Sequence, residues 1–188
     1  MNMFPTKINI NIPADAFLSR YSLHQNERIV SRGFADIDFR TSRQLPHLTL
    51  LTGMIQSEAD FIRLKDIVLR VSKEHHPFSF NLTAPYIAPG GHFCFVGVTV
   101  PAPFFALKRE LAALATSFMS FDFHGGPENP PHLTLGYFNQ KQSTLAPLAL
   151  DEFVQESWAC KIALSLSGNR GSCIRDLSVF DFPSDHEL

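Results

Sequence analysis

The sequence predicts an α+β protein with a bilobal, pseudo-two-fold duplication, in which antiparallel sheets line a central groove and helices lie outside. Three observations carry this. The pentapeptide Pro-His-Leu-Thr-Leu occurs at residues 46–50 and again at 131–135, with its histidines 85 residues apart. The junction Ile-Asn-Ile-Pro-Ala at 10–14 matches Val-Thr-Val-Pro-Ala at 98–102, and each continues to a Phe three residues on, Phe17 and Phe105. Runs with a period of two and runs with a helical period alternate along the chain. Together they describe a unit of about 90 residues used twice. Residues 1–188 are therefore expected to form a single bilobal domain.

The elements follow in order. From Lys7 to Ile12 the chain alternates, with Ile8, Ile10 and Ile12 on one face and Lys7, Asn9 and Asn11 on the other, which predicts a half-buried strand. Pro13 ends it, and residues 14–23 predict a short helix. Residues 33–43 are polar and arginine-rich, a loop with an extended piece near Asp36. The first pentapeptide then opens a strand that runs to Ile55. Ser57 is an N-cap for a helix whose Phe61, Leu64, Val68 and Val71 form one stripe, closed by His75-His76-Pro77. Residues 78–84 and 92–100 predict strands joined by a loop at 85–91. Pro101 and Pro103 introduce a helix to about Met119, with Phe104, Leu107, Leu111, Leu114 and Phe118 on its apolar face. A Gly- and Pro-rich loop leads to the second pentapeptide strand. A short helix is expected near 151–157, followed by a hairpin turning at Asn169-Arg170. A two-residue turn there sets Cys173 opposite Leu166 and Cys160 opposite Val179.

Composition narrows the function. The net charge is −2, which argues against a protein that grips long duplex nucleic acid by its phosphates. A nucleotide or short oligonucleotide needs only a few local cations. Three cysteines, 94, 160 and 173, do not make a disulfide framework, so a reducing, cytoplasmic setting is expected. No run approaches the apolar length of a membrane helix, and no membrane role is expected. The protein is expected to act as a monomer.

The repeated pentapeptide carries the chemistry. In a strand, residues i and i+2 share a face, so His47 points with Thr49 and His132 with Thr134, while the leucines face the core. Two imidazoles and two hydroxyls in one cleft suit phosphodiester chemistry. Histidine titrates near neutrality, so one ring can take a proton from the nucleophile while the other gives one to the leaving oxygen. The threonines can donate to the non-bridging oxygens, where charge develops. Two histidines with no further ligands nearby make a poor zinc site, so no metal and no cofactor are expected.

Two His-x-Thr-x motifs, His47-Leu48-Thr49-Leu50 and His132-Leu133-Thr134-Leu135, in duplicated α+β halves resemble the 2H phosphoesterases, the LigT-like or 2′-5′ RNA ligase superfamily. The resemblance covers most of the chain in element order, and its specificity lies in the two motifs. It implies a LigT-like groove with four catalytic residues, His47, Thr49, His132 and Thr134, and hydrolysis without a metal. The substrates it implies are nucleotides or short RNA carrying a cyclic or 2′-5′ (or 3′-5′) phosphodiester. It also implies two alternatives: a module that binds such a ligand uncleaved, and a 2′-5′ RNA ligase. From strand geometry, further substrate-binding candidates are Lys7, Asn9 and Asn11 on the polar face of the first strand, and Arg40 and Arg43 before the first motif. Tyr86 in the following loop and Phe138, on the same face as His132 in a regular strand, complete the set.

Overall fold

The structure is a computed structural model that describes residues 4–122, 129–148, 150, 156–168 and 172–183. The chain runs β1 (Thr6–Pro13), α1 (Ala16–Ser31), β2 (His47–Ile55), α2 (Glu58–Glu74), β3 (Phe78–Ile87), β4 (Phe93–Thr99), α3 (Ala102–Ala115), β5 (Met119–Phe121), β6 (His132–Tyr137), β7 (Glu156–Ala159), β8 (Lys161–Ser167) and β9 (Cys173–Asp181). The strands form one curled antiparallel sheet in the order β7-β3-β4-β6-β2-β1-β8-β9, with β5 pairing to β2 as well. The order mirrors itself about the β6–β2 seam. β4 and β1 flank the seam strands, and β3 and β8 flank those. This is an α+β fold with the two pentapeptide strands side by side at its centre. No helix among the described residues is long and apolar enough to cross a membrane.

Strand register makes the duplication closer than the sequence shows. Pro13 lies opposite His47 and Asn11 opposite Thr49; Leu50 is then skipped, and Ile10 pairs with Leu51. Gly97 lies opposite His132 and Phe95 opposite Thr134; Leu135 is skipped, and Cys94 pairs with Gly136. Both motif strands thus bulge at the same letter, the leucine after the threonine. A bulge adds one unpaired residue and reverses which face the later residues occupy. Residues opposite the motifs (Pro13 and Gly97, Asn11 and Phe95) are 84 apart. The matching Pro-Ala junctions are 88 apart, so they mark the order of elements and not the register.

The core lies between the convex face of the sheet and the helices. Leu48, Leu50, Leu133 and Leu135 are all buried there, with Ile8, Ile10, Leu64, Val68, Phe104 and Leu111. Helix α1 is longer than its sequence suggests, because the stripe that continues it is polar. Ser22, Gln25 and Asn26 are buried at i, i+3 and i+4. They face β6, where it has parted from β2 and its carbonyls would lack partners. Ser22 Oγ donates to Thr134 O at 3.1 Å, and Asn26 Nδ2 donates to Leu135 O at 3.1 Å. Asn26 also donates to Ile37 O and accepts from Phe39 N, so it ties the 33–45 loop to β6. Gly136 leaves room for this close approach, since a Cβ there would stand 3.0 Å from Ile29 Cδ1.

Other elements differ from expectation for local reasons. Ser57 caps α2 through Asp60 N, as its sequence predicts. β3 continues through Pro85 to Ile87 by way of a bulge after Leu82, so the expected 85–91 loop is shorter. α3 stops at Ala115, and Met119 opens β5 instead of ending the helix. Of the expected 151–157 helix, residues 151–155 lie outside the described residues, and Glu156 and Ser157 belong to a strand. The Asn169-Arg170 turn also lies outside the described residues. Two bulges shift the hairpin that it joins, so Cys173 pairs with Ser167 and Val179 with Ala163. Cys94, Cys160 and Cys173 are all free thiols.

Asn26→Ala strands a buried carbonyl of β6 and the amide of Phe39. The expected loss, measured by urea unfolding, is at least about 2 kcal/mol. A loss below about 0.5 kcal/mol would show that the loop and β6 do not depend on this side chain.

Candidate active site

Both motif histidines sit at the start of a strand, directly after a proline. The residue before a proline is held extended, and its carbonyl direction is set with it. In each motif that carbonyl meets the imidazole two residues on. His47 Nδ1 donates to Leu45 O at 2.8 Å, and His132 Nδ1 is 3.2 Å from Pro130 O. A carbonyl can only accept, so Nδ1 carries the proton. The neutral ring then turns Nε2, as an acceptor, toward the groove. The prolines of the pentapeptide therefore have a role that strand alternation could not reveal.

Leu48 and Leu133 face each other across β2 and β6. Antiparallel register about that pair runs His47 toward Thr134 and Thr49 toward His132. His47 and Thr134 line one narrow cleft, together with Phe39, Gln44, Tyr137 and Cys173. The four motif residues are thus brought together, all half-buried, while their leucine neighbours are buried beneath them.

The surroundings of the two histidines differ. Asn9 is fully buried, and its Nδ2 donates to Thr49 Oγ1 at 3.1 Å and lies 3.3 Å from His47 Nε2. Asn11 Nδ2 donates to Ser165 Oγ at 2.8 Å, and Ser165 donates on to Asp176 at 2.6 Å. On the other side, His132 is stacked on Phe95 at 3.9 Å between ring centroids, with 22° between planes. Phe95 touches Phe93 and Tyr86, and Phe93 touches Tyr137, so an aromatic wall continues from the imidazole. The register makes Phe95 the counterpart of Asn11 and Phe93 that of Asn9. One wall of the groove is amide and hydroxyl; the other is aromatic.

Burial lowers both imidazole pKa values by disfavouring the charged ring. His47 is pushed down to about 4; the Leu45 carbonyl opposes this, a charged His132 adds to it and Asp176 opposes it. His132 is also lowered, chiefly by burial, with the Pro130 carbonyl opposing and the Lys108 ammonium adding to the effect. Lys108 is itself buried and donates to Asn129 O at 2.8 Å, which anchors the segment entering β6. Burial likewise raises the Tyr86 hydroxyl above its ordinary value.

The remaining sequence candidates divide. Lys7 borders the groove and pairs with Asp122 at 2.6 Å. Tyr86 is on β3 and not in a loop; its ring is 3.6 Å from where a Cβ of Gly97 would stand, and Gly97 lies opposite His132. Arg40 and Arg43 are not brought to the histidines. Arg40 is exposed and paired with Glu27 at 3.0 Å, and Arg43 is exposed with a φ of 54°. Phe138 is corrected outright. It is buried in the core at 1 % exposure, because the bulge at Leu135 reverses the alternation. The same bulge turns Tyr137 toward the cleft. Sequence reading missed Phe95 and Tyr137; a regular strand would have kept Tyr137 with the leucines. Among the described residues, no group of three or more His, Cys, Asp or Glu converges.

Comparison with known proteins agrees with this geometry. A search of curated proteins gives no match. Among solved structures, TT0787 of Thermus thermophilus superposes with a TM-score of 0.71 at 17 % identity, covering 96 % of this chain and 100 % of that one. Escherichia coli LigT complexed with phosphate gives a TM-score of 0.69 at 17 % identity, over 96 % and 99 % of the two chains. LigT complexed with 3′-AMP gives 0.65 at 14 %, with the same coverage. At such identities these structures establish a shared fold. The family model described as the 2′-5′ RNA ligase superfamily matches residues 28–163, which include both motifs and the seam between them. With that match over most of its length, the chain belongs to the 2′-5′ RNA ligase superfamily of LigT-like phosphoesterases.

Proposed function

We propose that the protein is a metal-independent phosphodiesterase that hydrolyses a cyclic phosphate or a 2′-5′ (or 3′-5′) diester in a nucleotide or short RNA. The observation that carries this is the pair of imidazoles at equivalent strand positions. In each ring a backbone carbonyl holds Nδ1, which leaves Nε2 to face the groove. In the reaction, one neutral imidazole takes a proton from water as its oxygen attacks phosphorus. The other, protonated, gives its proton to the departing ribose oxygen. The P–O ester bond breaks, and a phosphomonoester and a free hydroxyl remain. Each transfer is worth about 10²–10⁴-fold in rate. Thr49 and Thr134, in register with the histidines, donate to the non-bridging oxygens. Asn9 fixes the Thr49 hydroxyl and the His47 ring for this role. LigT has been solved with phosphate and with 3′-AMP, which supports a phosphate-bearing nucleotide as the ligand class here.

The test is a substrate panel of 2′,3′-cyclic mononucleotides, 2′-5′ and 3′-5′ oligonucleotides and cyclic dinucleotides, run in EDTA with products identified by mass. His47→Ala and His132→Ala are each expected to lose at least about 10²-fold in kcat. Full activity of both variants on every substrate the parent cleaves would remove the histidines from the chemistry.

The pH dependence has a definite sign. The reaction needs one ring protonated and one neutral, and both rings of the free protein titrate below 6.5, His47 near 4. The competent form is most populated between the two values and declines above the higher one. The kcat/KM profile should therefore peak on the acid side of neutrality and fall toward pH 8. Bound phosphate favours the imidazolium, so the kcat profile should lie at higher pH. A kcat/KM optimum above pH 7.5 would contradict the lowered values.

A further inference from the structure

The narrow cleft at His47 and Thr134 does not end there. Gln44 and Ser172 line it and also line a second, open cavity of about 640 Å³ on the β1 side of the groove. That volume lies within the roughly 300–1,000 Å³ of small-molecule sites. Its walls come from three places: Lys7 on β1, Ile37 and Gln44 on the loop after α1, and Ser167, Ser172 and Ile174 on the β8–β9 hairpin. Ile37 and Ile174 give apolar contact of the kind a flat base needs. The hydroxyls and the Gln44 amide can donate to and accept from its edge. Lys7 is the cation of the site, and among the described residues no Asp or Glu lines the cavity. Ile174 is 39 % exposed at the rim, an apolar side chain left partly in water.

The other end of the groove is built differently. Beyond His132 stand Phe95 and Tyr86, and Tyr86 is 37 % exposed. Phosphate chemistry at the two histidines therefore has a base-sized site on each side, one aromatic and one amide-lined. A cyclic mononucleotide fills only one of them. We propose that the cavity of Lys7, Ile37, Gln44 and Ile174 is a second nucleoside subsite, and that the preferred substrate is a diester joining two nucleosides. The scissile phosphate lies between His47 and His132, with one nucleoside toward Tyr86 and the other in the cavity. This rests on the phosphodiesterase reading above, and it adds which member of the substrate class the groove selects.

The probes are 2′,3′-cyclic AMP and a diadenylate, 2′-5′- or 3′-5′-linked, whichever the parent cleaves faster. The parent should cleave the diadenylate with the higher kcat/KM. Ile174→Trp, which fills the cavity from its rim, should lower the diadenylate-to-cyclic-AMP ratio by about tenfold or more. Val179→Trp places the same bulk at an exposed position of β9 that does not line the cavity, and should keep the parent ratio. A ratio that Ile174→Trp leaves in place, or that Val179→Trp lowers equally, overturns the subsite. If the parent cleaves neither probe, the phosphodiesterase reading fails, and calorimetry decides the subsite alone. It stands if the diadenylate binds the parent more tightly than 3′-AMP and Ile174→Trp removes the difference. Equal affinities in the parent overturn it.

Discussion

Leu48 against Leu133 is the single pair through which β2 meets β6 among the described residues, and the groove depends on it. Were the two strands paired along their whole length, their facing edges would close and no cleft would remain. Were they unpaired, the two His-x-Thr motifs would have no fixed separation. One pair brings the motifs into register, and the strands then part. Parting leaves backbone carbonyls of β6 in need of partners, since buried backbone groups are almost always satisfied. Helix α1 supplies them from Ser22 and Asn26. A helix of the first half thus completes a strand of the second, which makes the two halves one cooperative structure.

The bulges matter for the same reason. Each lets His and Thr face the groove while leucines before and after stay in the core. Without the second bulge, Phe138 would leave the core for the groove, and Tyr137 would leave the cleft for the core. A bulge at the same letter of both motifs shows that the duplication extends to backbone irregularities, which composition and periodicity do not report. What the duplication does not keep is the lining. Asn9 and Asn11 on one side stand where Phe93 and Phe95 stand on the other. A symmetric fold therefore presents an asymmetric groove, as an unsymmetrical diester requires.

Electrostatics in the groove follow from burial more than from charge. Among the described residues, neither histidine has a carboxylate partner within hydrogen-bond reach, so desolvation holds both rings neutral in the free protein. The complementary charge is the substrate's own. A phosphate anion between the rings favours protonation of one of them, so binding and activation are coupled through a single electrostatic contact.

The sequence by itself determined the class of fold, the order of its elements and the two motifs. Identical pentapeptides, strand alternation and the Ser57 cap are local signals, and each is read within a few residues. The extension of α1 was illegible because its stripe is Ser22, Gln25 and Asn26, polar residues whose burial makes sense only against the free edge of β6. Arg40 and Arg43 stood close to His47 in the chain, but the loop turns them to solvent. Tertiary structure alone decided three things: the register that puts Asn9 on His47 and Phe95 on His132, the bulges that exchange Phe138 for Tyr137, and the cavity beside Lys7. Each depends on strands or loops distant in sequence meeting across the sheet, and one added residue in a strand reverses every side chain after it.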